Sequence, residues 1–108
     1  MYGLVIGKNF TVAEKILKSI ILHYEQNHVF TSFIRKDQVR FENNQLWVAV
    51  GESHPAKIRG YKPKVIYLDS RVKDAEILNN IQYLKMTIPN LKIVVWWKVV
   101  NLFETKIK

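Results

Sequence analysis

Hydrophobic positions recur along the chain with different periods, and the changes of period mark out the predicted elements. Tyr2 to Ile6 is a short apolar run closed by Gly7, the pattern of a buried strand. Val12, Ile16, Ile20 and Tyr24 then recur every fourth residue, flanked by Ala13, Leu17 and Ile21. This wide apolar face, with Lys15, Lys18, Glu25 and Gln26 on the other side, predicts a helix over 11–26. Thr11 and Glu14 have the T-x-x-E spacing of a capping box and place its start at Thr11.

After the helix the period shortens. Val29 to Ile34 reads as a strand and Arg35-Lys36-Asp37 as a polar turn. Val39-x-Phe41 and Leu46-x-Val48-x-Val50 alternate on either side of Asn43-Asn44. Asn tolerates positive φ, so a tight hairpin centred there is expected. Residues 51–63 carry two prolines and two glycines and read as irregular. Val65-Ile66-Tyr67-Leu68 runs without alternation into Asp69, as a parallel strand covered on both faces does. Asp74 is placed to cap a second helix whose buried stripe is Ile77, Leu78, Ile81, Leu84 and Met86 or Ile88, with Pro89 as its stop. Leu91 to Trp97 reads as a further strand, and the last ten residues as a strand or short helix.

The order is β-α-β-β-β-β-α-β, an α/β class domain over residues 1–108. It predicts a small open sheet of three-layer type: a mixed sheet with a parallel centre and an inserted β-hairpin. Right-handed crossovers place the strands beginning at Tyr2, Val65 and Leu91 side by side and parallel.

Composition narrows the function classes. The 108 residues are 48% hydrophobic and 24% charged, which suits an ordered globular domain. Without cysteine there are no disulfides, thiol chemistry or zinc-finger patterns. The longest stretches without Asp, Glu, Lys or Arg are nine residues, at 26–34 and 43–51, against the ~20 that a membrane span needs. Met1 to Phe10 lacks the basic start and long apolar core of a signal peptide, so a cytoplasmic protein is expected.

Two residues stand where open α/β sheets bind ligands, beyond the carboxyl ends of strands: Lys8 after the first strand and Asp69 after the central one. A phosphate-binding lysine and a magnesium-orienting aspartate are the two poles of a nucleotide site. Val5-Ile6-Gly7 before a helix, followed by the segment Lys57-Ile58-Arg59-Gly60-Tyr61-Lys62-Pro63-Lys64 and the strand ending in Asp69, resembles the core of phage large-terminase and related helicase-like P-loop ATPases. The resemblance implies their scaffold and, at Asp69, the place of their magnesium-binding carboxylate. The phosphate-binding G-x-x-x-x-G-K-[ST] loop is missing, however, and Ser70 stands where that family keeps its catalytic glutamate. A non-catalytic protein without cofactors is therefore expected. A bound nucleotide at Lys8 and Asp69 is the residual alternative.

Other chemistry finds little support. His23 and His28 are five residues apart and His54 is isolated, so no metal site is expected. No serine sits in a G-x-S-x-G elbow, and the strand Ile93 to Lys98 has Trp where a nuclease would need an acid.

Charge is more informative. Lys and Arg number 17 against 9 Asp and Glu, a formal +8. Between Lys57 and Lys73 six basic residues face one acid, so +5 of that excess lies in 17 residues. Lys57, Arg59, Lys62 and Lys64, with Tyr61 to stack on a base, are the candidate nucleic-acid contacts. Arg71 and Lys73 follow the central strand, some 15–20 Å away at ~3.3 Å per residue, and need not join them. Neither helix carries the Arg/Asn/Gln cluster of a groove-reading helix. Trp47, and Trp97 beside Lys98, are candidate protein contacts should their rings be exposed. The expected function is that of a small basic viral or phage accessory protein contacting nucleic-acid phosphates, DNA or RNA, without sequence preference. The alternative is an inhibitor or decoy that binds a host nucleic-acid-processing enzyme or defence complex in the host cytoplasm. An uncovered sheet edge could also pair two copies of the chain.

Overall fold

A computed structural model of the chain describes residues 1–53 and 55–96. The elements in order are β1 (Gly3–Ile6), α1 (Phe10–Gln26), β2 (Thr31–Ile34), β3 (Gln38–Phe41), β4 (Leu46–Val50), a 3-10 segment (Pro55–Gly60), β5 (Val65–Asp69), α2 (Ala75–Thr87) and β6 (Lys92–Trp96). They build one six-stranded sheet in the order β2-β3-β4-β1-β5-β6. The α/β class and the parallel neighbours β1, β5 and β6 agree with the sequence pattern. β4 adds to the pattern: it pairs antiparallel with β3 but parallel with β1, Gly3 opposite Trp47 and Ile6 opposite Val50. The returning hairpin strand is thus a fourth member of the parallel centre.

Alternation along the strands divides the core into two layers. Val5, Phe41, Trp47 and Ala49 pack with Ala13, Ile16, Leu17 and Ile20 of α1 on one face. Leu4, Ile6, Val48 and Ile66 pack with Ile77, Ile81 and Leu84 of α2 on the other, and Ile58 of the 3-10 segment joins them. Ile58 is wholly buried, and a buried isoleucine contributes ~1.5–3 kcal/mol. It pins the 3-10 segment against α2 while its neighbours Lys57 and Arg59 remain exposed.

Helix α1 starts earlier than the T-x-x-E spacing suggests. Its N-cap is Asn9, extended at φ −142°, whose side chain accepts the N–H of Val12 at 3.0 Å. Thr11 falls inside the first turn. The start is set by Gly7, where a Cβ would come within 2.5 Å of the Ala13 backbone nitrogen, so the chain turns directly under the helix. At the other end Val29 N–H donates to Tyr24 O across His28, which has φ 62°. This Schellman-type closure uses Val29, and β2 begins at Thr31.

The hairpin turn lies where it was expected. Asn44 has φ 69°, and Gln45 N–H donates to the Asn43 side chain at 3.1 Å. Asp74 caps α2 by accepting the N–H of Ile77 at 3.0 Å. The stripe of α2 is narrower than expected: Ile77, Ile81 and Leu84 are buried, whereas Leu78 and Met86 are exposed. The buried band is centred on Ile77, Ile81 and Leu84; at ~100° per residue Leu78 falls on its flank and Met86 on the opposite side. Asn80 takes the remaining buried position. The strand expected over Leu91 to Trp97 is present as β6 from Lys92 to Trp96, the last described residue. Trp97, Lys98 and the expected terminal element lie outside them. Among the described residues no helix is long and apolar enough to cross a membrane.

Candidate nucleic-acid interface

The basic run is divided between two edges of the sheet. Beside the starts of β5 and β6, the 3-10 segment and α2 enclose a groove of about 420 Å³. Arg59, Tyr61 and Lys62 form one wall, and Tyr83 and Thr87 of α2 form the other, over Leu84 and Ile88.

Arg59 is held in place. Its Nε donates to Asn80 Oδ1 at 2.6 Å, and its guanidinium lies over the Tyr83 ring at 4.7 Å from the centroid. Asn80 is 4% exposed, and its Nδ2 donates to Pro55 O at 2.7 Å. One amide therefore fixes both the 3-10 segment and the arginine. Among the described residues no carboxylate forms an ion pair with Arg59 or Lys62; the two ion pairs present are Lys8–Glu52 and Arg71–Asp69. Lys57 and Lys64 are exposed on the same segment but outside the groove lining. Tyr61 is half-buried against the core, so the more open ring is Tyr83, at 42% exposure.

The carboxyl edge has a different chemistry. The chain leaves β1 towards β4 through α1 and leaves β5 towards β6 through α2, so the topological switch falls between β1 and β5. Lys8 and Asp69 do meet there, through the lysine backbone. Asp69 is 1% exposed, and its Oδ2 accepts the Lys8 N–H at 3.0 Å. Its Oδ1 accepts the Arg71 backbone N–H at 3.1 Å and Arg71 Nε at 3.2 Å. Burial by itself raises the Asp69 pKa, but the donors of Lys8 and Arg71 outweigh it and hold the carboxylate below its usual range. The Lys8 ammonium turns away to Glu52 at 3.5 Å. At this edge Lys8 and Arg71 are each paired with a carboxylate, Glu52 and Asp69, and Asp69 stands buried beyond the carboxyl ends of β1 and β5, where such folds place ligands.

Trp47, considered as an exposed protein contact, is 2% exposed and belongs to the core. Its ring centroid is 5.4 Å from that of Tyr67 and 6.2 Å from that of Tyr24, and its Nε1 donates to the Tyr24 hydroxyl at 3.3 Å. Alternation along β4 could not decide this, because both faces of that strand are covered. His23 and His28 are exposed, and His54 lies outside the described residues.

Asn80, Tyr83 and Thr87 were not singled out from the sequence. Asn80 did carry a signal: a polar residue three after Ile77 and four before Leu84, on an otherwise apolar stripe. Tyr83 becomes relevant only through a contact with Arg59, 24 positions earlier. A scan against protein-family models finds no match, and no curated protein matches the chain.

Proposed function

We propose that this chain is a non-catalytic basic binding protein that contacts nucleic-acid phosphates without sequence preference. One observation carries the reading: Arg59 and Lys62 wall a single groove with no ion-pair partner among the described residues, while Arg71 at the opposite edge is matched by Asp69. Unneutralised cations beside a concave surface attract a polyanion, and phosphates are the acceptors that arginine and lysine recognise best. Lys57 and Lys64 extend the positive surface along the same segment. Small size, the basic excess and the resemblance to a phage ATPase core without its phosphate loop favour a viral or phage accessory role in the host cytoplasm. The test is fluorescence anisotropy with labelled DNA and RNA at low salt. The Arg59→Glu/Lys62→Glu variant should lose most of the affinity; unchanged binding by a folded variant would refute the proposal.

A second reading is favoured by the outer strand. Among the described strands β2 is outermost, and Phe30 just before it and Phe33 and Ile34 within it are 50%, 43% and 62% exposed. Such an edge suits strand addition by a host nucleic-acid-handling protein or by a second copy of the chain. An inhibitor would keep its partner in a pull-down after nuclease treatment, whereas a nucleic-acid binder would lose what it brings down. Light scattering identifies self-pairing.

A further inference from the structure

We propose that the groove between the 3-10 segment and α2 takes one unpaired nucleotide of a single-stranded nucleic acid, with its base against the Arg59–Tyr83 pair and its phosphate at Lys62. This rests on the nucleic-acid reading above and adds the state of the strand. At about 420 Å³ the groove lies in the range of small-ligand sites, ~300–1,000 Å³, with room for a nucleotide and none for a duplex. A base enters such a space only when it is unstacked, which a single strand offers freely and a duplex offers at a cost of a few kcal/mol.

The lining is divided in the way a nucleotide is. Leu84 and Ile88 provide an apolar floor. Above it Tyr83 is 42% exposed, with the Arg59 guanidinium 4.7 Å from its ring centroid, and both groups stack on bases. Asn80 holds Arg59 through Nε, which leaves the terminal guanidinium nitrogens to the ligand. Lys62 is exposed and lines the groove, so its charge is open to a backbone phosphate.

The groups available to read a base edge are few. Both ends of the Asn80 amide are already bonded, to Arg59 and to Pro55. The Thr87 hydroxyl donates to the carbonyls of Tyr83 and Leu84. Stacking recognises the π-face that every base has, so the groove is selective for strand state and tolerant of sequence.

The experiment is an anisotropy titration at low salt with four labelled probes: oligothymidylate, oligouridylate, a blunt duplex of the same length, and a DNA strand with abasic sites that keeps every phosphate. The unpaired strands should bind about tenfold or more tightly than the duplex and the abasic strand, as expected for stacking of one base. Binding of one of the two unpaired strands identifies DNA or RNA as the ligand, and either supports the proposal. Tyr83→Ala should cost about tenfold on the unpaired strands and clearly less on the duplex, while Tyr83→Phe should retain the wild-type affinity for both. If the wild-type protein binds all four probes equally, or a folded Tyr83→Ala protein keeps its affinity for the unpaired strands, the groove proposal is overturned and the phosphate-contact reading stands. If no probe binds, that underlying reading falls as well.

Discussion

The carboxylate of Asp69 accepts the backbone N–H of Lys8 at 3.0 Å and so joins the carboxyl ends of β5 and β1 across 61 residues of sequence. Arg71 completes the arrangement from two residues further on. Asp69→Asn brings an amide NH₂ against these donors and should cost ~1–3 kcal/mol in urea denaturation. The pH dependence has a definite sign. A carboxylate whose folded pKa is depressed contributes stability above its unfolded pKa, here 3.8, and loses it as pH falls through the lower folded value. Below about pH 4 the wild-type protein should therefore lose stability more steeply than Asp69→Asn. Parallel curves for the two proteins would show that Asp69 is not the linked group.

Asn80 supports a different prediction, because it couples stability to binding. Asn80→Ala removes the partner of both Pro55 O and Arg59 Nε, leaving a part-buried carbonyl unsatisfied at ~1–3 kcal/mol. It also frees Arg59 to sample rotamers away from Tyr83. The thermal midpoint and the affinity for a single-stranded oligonucleotide should fall together. A variant that loses stability but binds as the wild type does would separate the amide from the site.

These two clusters show how far the sequence could be read. β5 was legible because an unbroken Val-Ile-Tyr-Leu run needs cover on both faces, and the turn because Asn44 suits positive φ. Asn9 was missed as the cap because T-x-x-E two residues later has the same local signature; the choice depends on how closely Gly7 lets the helix approach β1. The width of the α2 stripe was not legible either, since it depends on how much of the helix the sheet and the 3-10 segment cover. The basic run and its division were both legible, because the length of the central strand alone separates Lys57, Arg59 and Lys62 from Arg71 and Lys73; which of these cations is paired was not. Arg71 finds its carboxylate two residues away at Asp69, whereas Arg59 is held by Asn80 and Tyr83, 21 and 24 positions later, and local sequence does not show that they meet.

The parallel pairing of β1 and β4 sets Gly3 opposite Trp47, and the indole lies where a Cβ on Gly3 would stand. Gly3→Ala must displace the ring or the strand, and overpacking of this kind costs ~1–3 kcal/mol. Trp47→Leu removes the ring atoms in conflict, at its own cost in lost burial. The two changes together should therefore destabilise by less than the sum of each alone, with a coupling of ~0.5–3 kcal/mol in a denaturation cycle. Strict additivity would place Gly3 outside the reach of the indole.

Splitting the basic run between two edges makes the final contrast. Each cation that neutralises a phosphate of a single strand contributes ~0.7 to the slope of log K against log salt concentration. Lys62 has no ion-pair partner among the described residues, so Lys62→Gln should lower the magnitude of the slope by about that amount. Arg71 differs in its surroundings: its side chain is 55% exposed, yet its guanidinium is bonded to a carboxylate that is 1% exposed. Moving it to a phosphate would strip a buried anion of its partner, which costs more than a surface contact returns. Arg71→Gln should thus leave the salt slope unchanged and lower the urea midpoint, while Lys62→Gln should do the reverse. The two variants carry the same change in net charge, so a slope that responded equally to both would mean that overall charge, and not the groove, attracts the nucleic acid.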